Sequence, residues 1–156
     1  MIELMMSIEF EDTTGSCPVS AAQCTQWCET TLRSARIHNA AISIRVVDSF
    51  ESQTLNRTFR GKDEATNVLA FPADIDIPEG PRILGDIAIC LSVALNESAS
   101  QQKTAEQHIA HLLVHGCLHL LGYDHIETNH AEIMENKEIG ILNKLGYPNP
   151  YLRQEP

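Results

Sequence analysis

A chain of 156 residues, of which 43% are hydrophobic and 21% are charged, has the size and composition of one globular domain. A domain of that length buries roughly 68–70% of its unfolded surface and needs no disulfides to form a core. The net charge of −10 argues against a protein that coats nucleic acid nonspecifically, and the chain lacks the apolar run of about 18 residues that a membrane span requires. We therefore expect a single domain over residues 1–156 with no membrane partner.

The first third of the chain predicts two strands with a helix between them. Apolar residues alternate within residues 1–11, which predicts a strand. Ser20 is placed to cap the start of a helix over residues 21–35. Residues 41–47 alternate in hydrophobicity and are rich in β-branched side chains, so they predict a second strand.

The middle of the chain predicts a short helix and two further strands. The helix covers about residues 48–55. Residues 67–71 form a short apolar run that predicts a strand ended by Pro72. Prolines, a glycine and acidic residues in 72–83 predict a surface loop. Residues 85–91 predict the last strand.

The last third of the chain predicts two longer helices. One covers roughly residues 103–121 and ends at Gly122, and the other runs from about 128 to 145 and ends at Gly146. A few strands with helices between and after them predict an α+β or α/β domain with one small mixed sheet.

The N-terminus and the cysteines both favour a cytoplasmic protein. The first 15 residues contain no basic residue, unlike a secretory signal or a transit peptide. The five cysteines are odd in number and include no Cys-x-x-Cys pair, which fits a reducing compartment.

Three histidines stand close together in HGCLHLLGYDH, residues 115–125. His115 and His119 are four residues apart on a predicted helix, so their side chains lie on one face. His125 cannot reach them from the same helix face, because six residues rotate by about 240°. Gly122 lets the chain turn back. The spacing predicts a three-nitrogen metal site, and three protein ligands leave a fourth position for water, as in catalytic zinc sites.

Two nearby residues have more than one interpretation. His111 lies one turn before His115, but a longer row of histidines on one helix cannot surround one ion. It either supports a ligand or faces the substrate, or it is an ordinary partly buried histidine. Asp124 either orients a ligand imidazole through a hydrogen bond or caps a turn.

The same histidine spacing occurs in metzincin metalloproteases. Their general base is a glutamate directly after the first histidine. Here that position is Gly116, which cannot transfer a proton. Glu127, Glu132 or Glu135 could replace the base in space. Met134 could be compared with the metzincin methionine turn, although such a methionine is more often part of the core.

The histidine motif resembles the signature of the YbeY endoribonuclease family, His-Gly-x-Leu-His-Leu-x-Gly-Tyr-Asp-His. LNRTFRGKDEATNVLAFP, residues 55–72, and LGDI, residues 84–87, are similar to two further blocks of that family. The resemblance covers about residues 50–147. This sequence departs from the family at Ala70, where serine is usual, and at Asn67, where aspartate is common.

The resemblance implies a zincin-like α+β domain with a metal site at the end of a central helix. It implies one zinc ion per chain, held by His115, His119 and His125. The implied activity is cleavage of single-stranded RNA, notably in 3′-end maturation of the small-subunit ribosomal RNA and in ribosome quality control. The implied partners are ribosomal RNA, the small ribosomal subunit and ribosome-associated proteins, with no small-molecule cofactor.

The resemblance also places Arg60 near the metal, as a catalytic residue beside His115 and His119. A guanidinium can hold a phosphate with two hydrogen bonds and stabilise the charge of the transition state. The alternative is a surface arginine paired with Asp63 or Glu64, which contributes only about 0–1 kcal/mol.

Three classes of function fit these residues. The first is a zinc-dependent endoribonuclease, which the resemblance favours. The second is a metalloprotease or another zinc hydrolase that uses the same histidines. The third is a ribosome assembly factor in which the zinc is structural. The acidic net charge predicts that an endoribonuclease of this kind takes its specificity from the ribosome.

Overall fold

The computed structural model describes residues 5–124 and 126–152. Within these ranges the chain forms four strands: β1 (Met5–Asp12), β2 (Asn39–Val47), β3 (Val68–Ile75) and β4 (Ile83–Cys90). The same ranges contain five helices: α1 (Ala21–Ser34), α2 (Ser49–Arg60), α3 (Leu91–Ser100), α4 (Ala105–Leu120) and α5 (Thr128–Lys144). The α+β class is confirmed. None of these described helices is both long enough and apolar enough to cross a membrane.

The strands form one mixed sheet in the order β1-β2-β4-β3. β1, β2 and β4 run parallel, and β3 pairs antiparallel with β4 at one edge. Parallel neighbours need a crossover rather than a tight turn, and α1 provides it between β1 and β2. The predicted small mixed sheet of about four strands is confirmed.

Local capping explains where two of the helices begin. The Ser20 side chain accepts a hydrogen bond from the backbone N–H of Gln23, and the Gln23 side chain accepts one from the backbone N–H of Ser20. Thr104 and Gln107 form the same reciprocal box at the start of α4. Each such cap contributes about 1 kcal/mol. The predicted start of α1 at Ser20 is therefore confirmed.

Helix α4 lies at the centre of the hydrophobic core. It packs against α1, α3, α5 and the strands β3 and β4. Its buried apolar residues point to several sides and include Ile109, Leu112, Leu113, Val114 and Leu118. A helix held on so many sides is a rigid platform for the histidines that it carries.

Strand β3 differs from its prediction, because Pro72 does not end it. The strand continues to Ile75, and Pro72 pairs with Gly85 of β4. A proline has no N–H to donate, but an edge strand tolerates it because one side has no neighbour. The loop predicted over 72–83 is therefore shorter and covers 76–82.

Two helices depart from expectation. Helix α2 runs beyond the predicted residue 55 to Arg60, where Gly61 ends it in a left-handed conformation with φ of 71°. Helix α3 was not predicted. Its N-cap residue, Cys90, makes no side-chain cap, and its first turn contains no acidic residue. The sequence therefore lacked the usual signals of a helix start there.

Candidate metal centre

Helix α4 brings His115 and His119 together one turn apart. Their Nε2 atoms lie 3.1 Å from each other, and the ring centroids are 4.6 Å apart. Both side chains are partly exposed, whereas their neighbours along the helix are buried. The four-residue spacing thus directs two imidazole nitrogens toward one point at the surface of the core.

The chain turns back after α4, as the glycine predicted. Gly122 has φ of 99°, and the N–H of Tyr123 donates to the carbonyl of Leu118. His125, the third predicted ligand, lies outside the described residues. Oδ1 of Asp124 accepts from the backbone N–H of Ile126 at 3.3 Å, as in a turn, and also lies 3.4 Å from Nδ1 of His130.

A buried carboxylate from α5 fixes the orientation of His115. Glu138 has 0% of its surface exposed. Its Oε1 lies 2.6 Å from Nδ1 of His115. Because a carboxylate only accepts hydrogen bonds, Nδ1 of His115 is the donor, and in the neutral imidazole the lone pair is then on Nε2. This tautomer is the one in which Nε2 of His115 can bind a metal.

The other oxygen of Glu138 ties two more residues to the site. Oε2 lies 2.8 Å from Nε2 of His111 and accepts a hydrogen bond from the hydroxyl of Tyr151. Burial raises the pKa of Glu138, but the hydrogen bonds that it accepts outweigh burial and lower that pKa to about 2. Glu138 is therefore an anion at neutral pH. His111 supports the same carboxylate that orients His115 and also lines a neighbouring cleft.

Arg60 lies at the end of α2 in an open cleft of about 550 Å³ that His115 and His119 also line. We call this space the metal-site cleft. Nη2 of Arg60 donates to the backbone carbonyl of Ala70 at 2.7 Å. Of the two acidic residues considered as partners for Arg60, Asp63 instead lies 3.6 Å from Arg57. Arg60 is thus held by a backbone group in the wall of the cleft.

Gly116 allows α4 to approach the sheet closely. A Cβ atom added there would lie 3.1 Å and 3.2 Å from the two methyl carbons, Cγ2 and Cδ1, of buried Ile87 on β4. Where a metzincin has its glutamate, this chain therefore has a glycine that packs directly against Ile87. The alternative bases Glu127, Glu132 and Glu135 are exposed on the surface, and Met134 is 1% exposed within the core.

We expect Gly116→Ala to be less stable than Gly140→Ala by about 1–3 kcal/mol of unfolding free energy, because it overpacks the contact with Ile87. Gly140 lies inside α5 with nothing within 4 Å of an added Cβ. Both changes gain about 1 kcal/mol of helix propensity, so their difference isolates the clash. Urea denaturation of both variants measures this, and equal effects would contradict the packing role of Gly116.

The residues present fit a zinc ion. Two nitrogens bound to one tetrahedral zinc at 2.0–2.1 Å lie about 3.3 Å apart, close to the 3.1 Å between Nε2 of His115 and Nε2 of His119. A carboxylate behind a ligand imidazole is the usual support for such a ligand. Within residues 5–124 and 126–152, no group of three or more His, Cys, Asp or Glu side chains is arranged to hold a metal ion. The predicted set needs His125.

Glu138 and Tyr151 were missed by the sequence predictions. Glu138 had a detectable signal, because it falls on the buried stripe of α5 that also contains Met134, Ile141 and Leu142. A carboxylate on an apolar stripe needs a partner. Tyr151 follows the last helix and had no such signal.

Comparison with known proteins gives consistent matches along the chain. The model of the family described as Endoribonuclease YbeY matches residues 7–146. The chain is 49% identical over 161 residues to the endoribonuclease YbeY of Stutzerimonas stutzeri, with 100% of this chain and 95% of that protein covered. It is 46% identical over 156 residues to the endoribonuclease YbeY of Pseudomonas putida, with 97% and 96% covered.

A solved structure has the same fold. The solution structure of TM1509 from Thermotoga maritima superposes with a TM-score of 0.57 at 22% sequence identity, covering 91% of this chain and 92% of that one. The shared fold extends over nearly all of both chains.

Proposed function

This chain belongs to the YbeY endoribonuclease family, and on that premise we propose that it cuts single-stranded RNA in the maturation of the small-subunit ribosomal RNA 3′ end. One observation carries the proposal: His115 and His119 present Nε2 atoms 3.1 Å apart in a cleft that also contains Arg60. That pairing provides metal ligands next to a group that binds phosphate.

The metal in this proposal is one zinc ion held by His115, His119 and His125. A zinc ion in such a site acts as a Lewis acid and lowers the pKa of water toward about 7. Glu138 holds the proton of His115 on Nδ1, so that Nε2 is available as a ligand.

Arg60 is proposed to bind the phosphodiester and to stabilise its developing negative charge. A guanidinium has five N–H donors, and the hydrogen bond to the Ala70 carbonyl orients it. A positioned cation next to the reacting phosphorus stabilises the transition state more than the ground state. The hydrogen bond to Ala70 thus supports a positioned rather than a mobile arginine.

The alternative functions find less support in the residues of the site. A metzincin-type protease needs a glutamate where this chain has Gly116 packed against Ile87. A purely structural zinc site has four protein ligands, whereas the proposed set has three histidines. Both points favour the nuclease.

We further propose that the enzyme acts in the cytoplasm on precursor RNA within ribosomal particles. The net charge of −10 disfavours tight binding of isolated RNA. Ribosome-associated proteins and the small subunit would then supply the specificity. Tight, salt-sensitive binding of free RNA by the protein alone would contradict this part of the proposal.

The test is cleavage of precursor small-subunit ribosomal RNA by wild type and His119→Ala. We expect His119→Ala to lose about 10³-fold or more in rate, because it removes a metal ligand and several kcal/mol of transition-state stabilisation. His38→Ala, which changes a histidine next to β2 and outside the cleft, should cut like wild type. Equal cutting by all three proteins would reveal a contaminating ribonuclease.

If none of the three proteins cuts free RNA, the comparison is repeated on intact ribosomal particles. Loss of cutting only in His119→Ala, in either substrate, supports the proposal. Circular dichroism of each variant verifies that it is folded. Cutting of particles by a folded His119→Ala protein at the wild-type rate would overturn the proposal.

A further inference from the structure

We propose that a second cleft beside the metal-site cleft holds one unpaired nucleotide next to the cleaved bond, and that Glu97 accepts a hydrogen bond from an amino group on its base. This inference rests on the proposed ribonuclease function and adds base selectivity to it. We call this second space the nucleotide cleft. It is lined by the start of β3, the end of α3, one face of α4 and residues 150–152.

The two clefts adjoin at the metal site. Asn67, Val68 and His115 line both of them. The nucleotide cleft has a volume of about 630 Å³, within the range of about 300–1,000 Å³ that is usual for small-molecule sites. An RNA strand whose phosphate lies at His115 and Arg60 would therefore place a neighbouring nucleotide in this cleft.

Glu97 is a fixed hydrogen-bond acceptor in the wall of the nucleotide cleft. Its Oε1 lies 2.9 Å from Nε2 of His108 and 3.1 Å from Nδ2 of Asn67. Oε2 lies 3.3 Å from the same Asn67 nitrogen. The side chain nevertheless keeps 33% of its surface exposed. Each carboxylate oxygen can accept about two hydrogen bonds, so Oε2 has capacity for a donor from a ligand.

His108, the partner of Glu97, is neutral and donates its one ring N–H to Glu97. The ring is buried, with 3% of the residue exposed, and burial lowers the pKa of His108. A neutral His108 that donates from Nε2 has no proton on Nδ1, and that atom is buried without a hydrogen-bond partner among the described residues. Glu97 is therefore the acceptor of this pair, and it lines the cleft.

Tyr151 gives the nucleotide cleft an aromatic surface. Tyr151 is 44% exposed, and its ring lies edge-on to His111 with the centroids 5.4 Å apart. Its hydroxyl donates to Glu138, which fixes the ring. Unpaired RNA bases are commonly recognised by stacking on such rings and by hydrogen bonds to their Watson–Crick edges. Lys103 also lines the cleft and adds a positive charge there, with its ammonium donating to the carbonyl of Pro150 at 2.6 Å.

This chemistry predicts which bases are accepted. Adenine, cytosine and guanine carry an exocyclic amino group that can donate to a carboxylate. Uracil has no such group, and its one Watson–Crick donor, N3–H, lies between two carbonyl oxygens that the carboxylate repels. A good bidentate contact between a side chain and a base edge discriminates by about 5- to 150-fold, and a single hydrogen bond falls at the lower end of that range. We therefore expect cleavage to disfavour uracil at one position next to the cut.

Glu97 has a competing role as an internal link. By joining Asn67 on β3 to His108 on α4, it could serve only to hold these elements together. A purely structural link predicts a loss of stability and a uniform loss of rate on all substrates. Base recognition predicts a loss of selectivity instead, so the two roles are separable.

The experiment compares wild type, Glu97→Gln and the control Glu132→Gln, an exposed position on α5. The substrates are single-stranded RNAs that differ only in the nucleotide on each side of the cut. We expect wild type and Glu132→Gln to cut uracil at one of these positions at least about 5-fold more slowly than the other bases. In Glu97→Gln this ratio should fall below about 2-fold, with zinc content and unfolding midpoint retained.

Two results would overturn the inference: an unchanged base profile in Glu97→Gln, or a uniform slowing on every substrate. If Glu97→Gln does not fold, Glu97→Asp retains the charge but retracts the carboxylate, and it should also lose selectivity. A wild-type enzyme that cuts no faster than His119→Ala, both on these RNAs and on intact ribosomal particles, would instead refute the proposed function itself. The two failures are therefore distinguishable.

Discussion

Glu138→Gln is expected to weaken zinc binding by about 10- to 100-fold while His115 and His119 remain in place. The Glu138 carboxylate accepts hydrogen bonds with both oxygens, one from His115 and the other from His111 and Tyr151. An amide has only one accepting oxygen, so one side of this arrangement loses its acceptor. His115 is then free to adopt the tautomer that places a proton on Nε2, which competes with metal binding.

Competition with a chromogenic chelator measures the zinc affinity directly and does not depend on RNA cleavage. Glu132→Gln is the matched control, since it makes the same change on the exposed side of the same helix. We also expect Glu138→Gln to lose about 1–3 kcal/mol of stability, because a buried donor is left without a partner. An unchanged zinc affinity in a folded Glu138→Gln protein would show that Glu138 has only a structural role.

The sequence predicted the close approach of His115 and His119 well, because the information for it is local. A separation of four residues on a helix places His115 and His119 on one face whatever the rest of the fold does. The same holds for Ser20, whose cap depends on residues three positions away. Local geometry of this kind needs no knowledge of the tertiary structure.

The contacts that hold His115 and His111 in place could not be predicted in the same way. Glu138 meets His115 across 23 residues, and Tyr151 meets His111 across 40. Such contacts depend on how α5 and the following segment pack on α4, which no short-range pattern encodes. Pro72 shows the same limit, since whether a proline ends a strand depends on whether that strand lies at the edge of its sheet.

Gly85→Ala is expected to cost roughly 3–5 kcal/mol of unfolding free energy, from backbone strain and steric overlap together. Gly85 has φ of 142°, a conformation that side-chain-bearing residues rarely adopt. A Cβ atom there would lie 2.1 Å from the backbone carbonyl oxygen of Phe71 on β3. Because that oxygen belongs to the backbone of a paired strand, it cannot move away without disrupting the sheet.

Gly15→Ala separates backbone strain from steric overlap, since Gly15 has φ of 72° and nothing within 4 Å of an added Cβ. It should lose only about 1 kcal/mol, from strain alone. Urea denaturation of both variants gives the comparison, and equal losses would refute the close approach at Gly85. A Cβ atom at Gly85 would also lie 3.0 Å from Cδ2 of Leu120, the residue after His119. Gly85→Ala should therefore reduce zinc affinity as well, because the sheet and the end of α4 are in contact at this glycine.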